Sequence, residues 1–275
     1  MSSAILEIAR QEFVLHRRNR WVISFAVLFA TLSLAVAYFG MITSGYSGFQ
    51  DFVRTSASLI NLGGFLLPLF ALLLGVFSFL THREYLEVLA TQPVSRRGIL
   101  LGKYLGLLIS VLTAAALGFG LPGAVIAASI GFEGASTYLL VVFFSCLLAA
   151  VFTGLSVLIA LLTERRPAAI GVAIAVWIFF ELVYGLLMLA TTLYLPPGVA
   201  KNVLLVGLGG NPIDVVRVLC LLQVGGPHLF GPAGATLIKL TGSGTAATAI
   251  GFAIIAAWIV VPLVIAVWVF KRQDL

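Results

Sequence analysis

The segment that comes nearest to a nucleotide-binding motif is Gly98-Ile-Leu-Leu-Gly102-Lys103-Tyr104. A phosphate-binding loop of the Walker type has four residues between its glycines and a Ser or Thr after the lysine, whose hydroxyl binds Mg²⁺. This segment has three residues between the glycines and ends in Tyr. It predicts the start of a helix, and any use of ATP must come from a separate subunit.

Side chains suited to metal binding or acid–base catalysis are few and scattered. The histidines, His16, His82 and His228, are far apart in the sequence and are assigned to both sides of a membrane. The cysteines, Cys146 and Cys220, lack the spacing of a metal site, and a Cu(I) path would show several Cys, Met or His within the spans. We expect no catalytic residue, no metal site, no directly bound cofactor and no disulfide.

The composition excludes a water-soluble globular protein. Of the 275 residues, 61% are hydrophobic and 9% are charged, whereas roughly 25% of the residues of a soluble domain are charged. A net charge of +6 could indicate a nucleic acid partner. Here the basic residues flank apolar stretches, so we expect contact with a lipid bilayer and no nucleic acid partner.

Six apolar stretches are long enough to cross the bilayer, since a helical span needs about 20 apolar residues. The stretches are residues 21–42, 59–80, 105–130, 138–162, 168–195 and 249–270. With the amino terminus in the cytoplasm, twelve of the sixteen Lys and Arg residues lie inside and four lie outside, in agreement with the positive-inside rule. The sequence predicts one all-α membrane domain, residues 1–275, in the cell (inner) membrane with both termini cytoplasmic.

The long polar interruption between the central apolar stretches is Thr81 to Tyr104. We expect its charged residues to lie in water or among lipid headgroups: Arg83, Glu84, Glu87, Arg96, Arg97 and Lys103. Its apolar side chains recur at helical spacing: Tyr85, Leu86, Val88 and Leu89. Pro93 disfavours helix at the residue before it, so a short amphipathic helix ends there. Such a helix suits docking to a soluble partner, although an interfacial loop of any polytopic protein has the same pattern.

The first twenty residues, 1–20, are predicted to form a helix on the membrane surface. Ser2 or Ser3 can cap this helix. Glu12 interrupts its apolar side, so the helix is only moderately amphipathic. A basic cluster then precedes Trp21, an order that is typical of a membrane interface. We interpret the segment as an elbow helix on the inner leaflet.

Glu181 is the acidic residue that falls well inside a predicted span, the fifth. An ionisable group at that depth is costly and should face the bundle interior or a cavity. Two interpretations stay open. Glu181 either holds helices together, protonated or hydrogen-bonded to a neighbour such as Tyr184, or it serves a substrate or a gate.

The stretch 196–248 is predicted to lie outside the cell and to contain a further helix. Asn211 is a good N-cap, and Pro212 suits the first helical position. The apolar stripe of this helix requires cover by lipid, by the bundle or by a partner, and the helix has none of the aromatic anchors that lipid favours. We therefore predict a docking site for a periplasmic protein, formed by Asp214, Arg217, Val218 and Leu222.

The run Glu87 to Gly106, EVLATQPVSRRGILLGKYLG, resembles the loop after the second span of type-2, exporter-class ABC permeases. In those proteins an apolar helix is followed by Pro, Ser and Arg, and Gly-Lys opens the third span. The end of the chain, Phe270 to Leu275, resembles theirs as well. The resemblance implies a coupling helix that sits in a groove of a separate ATPase subunit, with Tyr85, Leu86, Glu87 and Arg96 as coupling residues.

Among these permeases, the chain is most similar to the NosY-like group, because of its six spans and the run Asn211-Pro-Ile-Asp-Val-Val-Arg217. That group serves copper-site maturation in periplasmic nitrous oxide reductase. The resemblance implies a homodimer, two cytoplasmic ATPase subunits that hold ATP and Mg²⁺, and a periplasmic accessory protein.

Two other functions are compatible with parts of the pattern. A generic ABC exporter for a drug, a peptide or a lipid would share the spans and the coupling loop, residues 81–104. A secondary transporter or channel would prefer ionisable residues in several spans, and Glu181 alone meets that description.

Overall fold

The structure, a computed structural model, describes residues 2–43, 49–81, 94–130, 135–225 and 243–272. Within these ranges the regular secondary structure is helical and no strand occurs. The elements are α1 (Ser2–Arg17), α2 (Arg20–Thr43), α3 (Phe49–Thr81), α4 (Arg96–Ile130), α5 (Ala135–Leu162), α6 (Arg166–Ile178), a π-helical turn (Phe179–Val183), α7 (Tyr184–Tyr194), α8 (Pro197–Gly210), α9 (Pro212–Gly225) and α10 (Gly244–Arg272).

Six helical stretches in the described ranges have the length and apolar character needed to cross a membrane. We number them spans one to six: Arg20–Phe39, Ser58–Leu80, Arg96–Ala128, Ala135–Leu162, Arg166–Thr191 and Gly244–Arg272. The prediction of an all-α protein with six spans is therefore confirmed. Span five comprises α6, the π-helical turn and most of α7.

The third span begins at Arg96, earlier than the predicted residue 105. The Ser95 side chain caps it, because the backbone N–H of Gly98 donates to Ser95 Oγ over 3.2 Å. The apolar stretch that marked this span starts only after Lys103, and that lysine was expected to lie outside the membrane. Its buried position, described below, allows the helix to extend.

Spans two and four form the centre of the bundle. In an apolar 18-residue stretch of each of them, 67% of the residues are buried. Small residues face each other where they meet. A Cβ atom on Gly75 would overlap the side chain of Ser156, and a Cβ atom on Gly63 would lie 3.1 Å from Ser145 Oγ. Helix association in lipid depends on such close packing, so these contacts hold the two central spans together.

One end of the bundle collects the termini of several helices together with their basic residues. Arg96 Nη1, at the start of α4, donates to the carbonyl of Phe270 over 3.2 Å, near the end of α10. The Arg166 guanidinium, at the start of α6, lies 5.0 Å from the ring centroid of Phe77, near the end of α3. We call this end the basic end, and the opposite end, where α8 starts and α9 finishes, the hairpin end.

Helices α8 and α9 form a hairpin that enters the bundle from the hairpin end. Gln223 Nε2 donates to Thr248 Oγ1 over 3.1 Å near the start of α10, and Trp258 Nε1 donates to the carbonyl of Gly209 over 3.0 Å farther along it. At a rise of about 1.5 Å per residue, Trp258 lies about 21 Å from the start of α10. The tip of the hairpin therefore reaches the middle of span six.

This position corrects one expectation from the sequence. Helix α9 was expected in or on the outer interface, but it packs against α3, α5 and α10. Asn211, Ile213 and Leu219 are buried in these contacts. Each helix of the hairpin has only 14 residues, too few for a span, and length alone therefore assigned the segment to the outside.

Candidate functional site

Helix α1 packs directly against the backbone of α4 at the basic end. A Cβ atom on Gly102 would lie 2.8 Å from the Cβ of Ile8 and 3.0 Å from the carbonyl oxygen of Ile5. A Cβ atom on Gly106 would lie 2.6 Å from the carbonyl oxygen of Ala9. Only glycine allows this approach, so the two glycines form the surface on which α1 lies.

The same contact contains a buried pair of opposite charges. Lys103 Nζ lies 3.0 Å from Glu12 Oε1 and 2.9 Å from Glu12 Oε2, and the side chains of Lys103 and Glu12 are 0% and 2% exposed. The Ser78 hydroxyl donates to Glu12 Oε1. His16 Nδ1 lies 2.7 Å from the carbonyl oxygen of Glu12 and donates to it. The carboxylate thus has both a cation and a hydroxyl donor.

The buried pair joins three helices at the basic end. Glu12 belongs to α1, Lys103 to the first turns of α4, and Ser78 to the last turn of α3. Helices α3 and α4 lead into and out of the segment 82–93. Because removing one partner of a buried pair leaves an uncompensated charge, the pair favours this one arrangement of the three helices.

The expectation that Lys103 lies in water or among headgroups is wrong. Its aliphatic stem and ammonium group are covered by α1 and α3, and its Nζ lies 5.0 Å from the ring centroid of Phe79. Sequence reasoning missed the pair because it treated Glu12 as a flaw in an amphipathic helix. Two signals could have identified the pair: Glu12 lies on an otherwise apolar side of its helix, and Lys103 lies next to glycines spaced four residues apart.

The predicted coupling residues are only partly described. Tyr85, Leu86 and Glu87 lie outside the described residues, so the coupling helix stays a prediction. Arg96 is described, and it is half-buried at the start of α4. Its guanidinium donates to backbone carbonyls at the end of α10, where a cation is favoured by the helix dipole. This residue therefore fastens span three to span six.

A second polar cluster lies where the hairpin tip meets span five. Glu181 lies in the π-helical turn, and its Oε1 is 3.8 Å from Arg217 Nη2 of α9. Its Oε2 has no hydrogen-bond partner among the described residues. Arg217 Nη1 also lies 3.4 Å from Asp214 Oδ1. The cluster contains two carboxylates and one guanidinium inside the bundle.

Asn211 connects the hairpin tip to span five. Its Oδ1 accepts the backbone N–H of Ile213 over 3.0 Å, as an N-cap does. Its Nδ2 donates to the carbonyl of Phe180 and to Asp214 Oδ2, each over 2.8 Å. The π-helical turn contributes to this contact, because the N–H of Tyr184 bonds to the carbonyl of Phe179 instead of that of Phe180.

These contacts change the assignments made from the sequence. Arg217 was placed outside the membrane and lies beside Glu181. The suggested partner Tyr184 donates instead to the carbonyl of Gly207. Val218 and Leu222 are half-buried, and Val218 faces a small cavity between α8, α9 and α10. The bundle therefore covers much of the apolar stripe for which a partner was invoked.

The titratable residues do not converge on a metal site within the described part of the chain, where no three His, Cys, Asp or Glu side chains come together. The second polar cluster, Glu181, Asp214 and Arg217, which we call the hairpin cluster, contains two carboxylates, but its third member is a guanidinium. Its chemistry is that of an ion pair between helices. An ion pair of this kind can hold the hairpin tip against span five.

The chain is similar in sequence to known membrane transporter components. Residues 6–275 match the model of a family described as ABC-2 family transporter protein. A probable ABC transporter permease protein NosY of Pseudomonas aeruginosa is 35% identical over 225 residues, which are 78% of this chain and 80% of that protein. A protein of the same description from Stutzerimonas stutzeri is 34% identical over 278 aligned residues, 98% of each chain.

Proposed function

The chain belongs to the ABC-2 family of transporter proteins, and from this premise we propose that it is a permease subunit that couples ATP hydrolysis by separate ATPase subunits to work across the membrane. The work is export, or action on a periplasmic protein, for copper-site assembly in nitrous oxide reductase. Support for this finer function comes from the resemblance to NosY-like permeases and from the two relatives with that description.

The observation that carries the proposal of ATP coupling is the buried Glu12–Lys103 pair. The predicted contact with the ATPase is the coupling loop, residues 81–104. The pair joins α3 and α4, which flank residues 82–93 of this loop, to α1. A force on that segment is then applied to α1, α3 and α4 as one unit. Because α3 contains central span two, the motion would pass into the core of the bundle.

The proposed orientation places the basic end in the cytoplasm. Exposed cations are concentrated there: Arg17, Arg18, Arg20, Arg97, Arg165, Arg166, Lys271 and Arg272. Positive residues are retained on the cytoplasmic side during insertion, so both termini are cytoplasmic in this proposal. The ATPase subunits, which need cytoplasmic ATP, approach the same end.

We further propose that two copies associate through span five. In an apolar 18-residue stretch of this span only 6% of the residues are buried, against 67% in the corresponding stretches of spans two and four. Leu182, Leu186 and Leu189 are exposed along it, at spacings of four and three residues that suit a helix–helix seam. Glu181 lies on the same span, so the homodimer would bring two hairpin clusters near one interface, where its structural and gating roles both stay open.

A periplasmic accessory protein would contact the hairpin end in this proposal. Since the bundle covers much of the α9 stripe, the predicted contact at Val218 and Leu222 requires their remaining exposed surface together with the outer ends of α8 and α10.

The alternative function is a generic exporter of a drug, peptide or lipid. Location of the gene within a nitrous oxide reductase cluster would separate the two functions.

Replacing Glu87 with arginine should uncouple the complex without preventing membrane insertion. Glu87 lies on the predicted coupling helix, where its carboxylate is expected to meet basic or amide groups of the ATPase groove. An arginine at this position would be repelled by the basic groups and could not accept hydrogen bonds from the amides. A residue at the centre of such a contact contributes enough that ATP-dependent function should fall about tenfold or more. The measurement is transport-coupled ATP hydrolysis by the reconstituted complex, together with copurification of the ATPase.

Glu164 provides the matched control for this variant. It is an exposed carboxylate at the same end of the bundle, in the turn between α5 and α6. Glu164→Arg makes the same change of charge away from the predicted coupling helix and should leave the coupled rate unchanged. Full activity of Glu87→Arg, or an equal loss in both variants, would remove the basis for the coupling assignment.

A further inference from the structure

A groove opens on the outside of the bundle between α2 and α4, with a volume of about 350 Å³. We call it the span-one groove. It exists because small side chains, Ala26 and Ala30 of α2 and Ala114 of α4, face each other along its floor. Val27 and Leu117 form exposed rims on its two sides. The groove thus opens toward the lipid that surrounds span one.

The length of the groove along α2 matches the thickness of one leaflet of a bilayer. Its lining extends along α2 from Val22, next to the basic end, to Leu34. At a rise of about 1.5 Å per residue this distance is about 18 Å. The hydrocarbon core of a bilayer is about 30 Å thick, or about 15 Å for each leaflet. The groove therefore has the length of an acyl chain in the leaflet at the basic end.

The polar side chains within the groove are already hydrogen-bonded to their own helices. Thr31 donates to the carbonyl of Val27 over 2.8 Å, and Thr113 donates to that of Ile109 over 2.7 Å. Ser110 donates to the carbonyl of Gly106 over 2.8 Å. A molecule in the groove therefore needs no polar atoms at these depths, and a hydrocarbon chain fits this lining.

The mouth of the groove is cationic. Arg17, the last residue of α1, is exposed and lines the groove at the basic end. Arg18 and Arg20 follow it and are exposed as well, next to Trp21. Basic residues beside a membrane surface attract anionic headgroups, and an aromatic ring at the same level marks the interface. The groove combines an apolar channel with a positive mouth.

We propose that the span-one groove binds an anionic phospholipid of the leaflet at the basic end. One acyl chain lies between α2 and α4, and the phosphate group contacts the guanidinium of Arg17. A zwitterionic lipid of the same chain length fills the channel and carries a phosphate, but its headgroup cation cancels that charge and weakens its attraction to the cationic mouth. The proposal requires only that the chain spans a bilayer, so it does not depend on the function proposed above.

Native mass spectrometry of the full chain, released from vesicles that contain equal amounts of phosphatidylglycerol and phosphatidylcholine with the same acyl chains, tests the proposal. We expect preferential retention of phosphatidylglycerol. Arg17→Gln should lower that preference about fivefold, the effect of one cation near an anionic surface. Arg10→Gln, which removes an exposed cation from the same helix outside the groove, should leave the preference unchanged.

A second variant tests the channel separately from the charge. Thr31 is exposed within the groove, so Thr31→Phe fills the space without disturbing the core. It should reduce the retention of both lipids. Unchanged retention in Thr31→Phe, or equal effects of Arg17→Gln and Arg10→Gln, would overturn the proposal in favour of adsorption on a basic surface. A shift from dimer to monomer in Thr31→Phe would overturn it in favour of a second copy in the groove.

Discussion

Replacing Lys103 with methionine should lower the free energy of unfolding by about 3–5 kcal/mol, the usual effect of leaving one member of a buried ion pair without its partner. The Glu12 carboxylate would keep the Ser78 hydroxyl but lose the ammonium group within 3.0 Å of both its oxygens. The variant should therefore be less stable in detergent and should insert in lower yield. Thermal unfolding of the purified chain measures the effect.

The double variant Glu12→Leu/Lys103→Met distinguishes the unpaired charge from damage to packing. It removes both charges and leaves apolar side chains in their place, an exchange that is often neutral or stabilising at buried sites. We expect it to recover most of the lost stability. Lys271→Met, which removes an exposed lysine at the same end, should change stability by less than about 0.5 kcal/mol. A double variant as unstable as Lys103→Met would contradict the account of the pair.

Replacing Asn211 with alanine should loosen the hairpin and expose Cys220. The variant loses the N-cap of α9, which typically contributes about 0.5–2 kcal/mol to stability. It also loses the hydrogen bonds from Asn211 to Phe180 and Asp214. Cys220 lies on α9 with 1% of its surface exposed. Since about 1.4 kcal/mol corresponds to a factor of ten in the open population, maleimide labelling of this thiol should accelerate on the order of tenfold.

Two matched variants locate the cause of faster labelling. Asn211→Asp keeps a side-chain oxygen for the cap but loses the amide donor to Phe180, so its rate should be intermediate. Val206→Ala changes a residue of α8, in the same hairpin, that is 82% exposed and should have little effect. All rates are measured in a Cys146→Ser background, where Cys220 is the one thiol. Equal rates in Asn211→Ala and the parent would show that Asn211 does not hold the hairpin.

The sequence predicted six spans and the helical amino terminus, because length and composition determine a span and neither depends on contacts. The pairing of α1 with α4 could not be predicted in the same way. Glycines spaced four apart at 98, 102 and 106 permit close helix approach, but the chain has 28 glycines. The burial of Lys103 depends on Glu12, 91 residues earlier, and helical periodicity carries no information at that distance.

The hairpin shows a different limit of sequence reasoning. The N-cap at Asn211 and the first helical residue Pro212 were predicted from local chemistry, and the structure contains both. The depth of the hairpin depends on partners in other helices, among them Trp258 and the π-helical turn. Glu181 was identified as an intramembrane polar residue, whereas its partner Arg217 was missed because a segment too short for a span was assigned to the outside.

ATP hydrolysis by the purified chain, alone and then with its ATPase subunits, tests the central claim most directly. The claim is that this chain is a permease that couples the ATPase of other subunits. We predict no hydrolysis above background by the chain alone and a rate in the complex that depends on the segment 82–93. Hydrolysis by the chain in the absence of any copurifying subunit would contradict the claim.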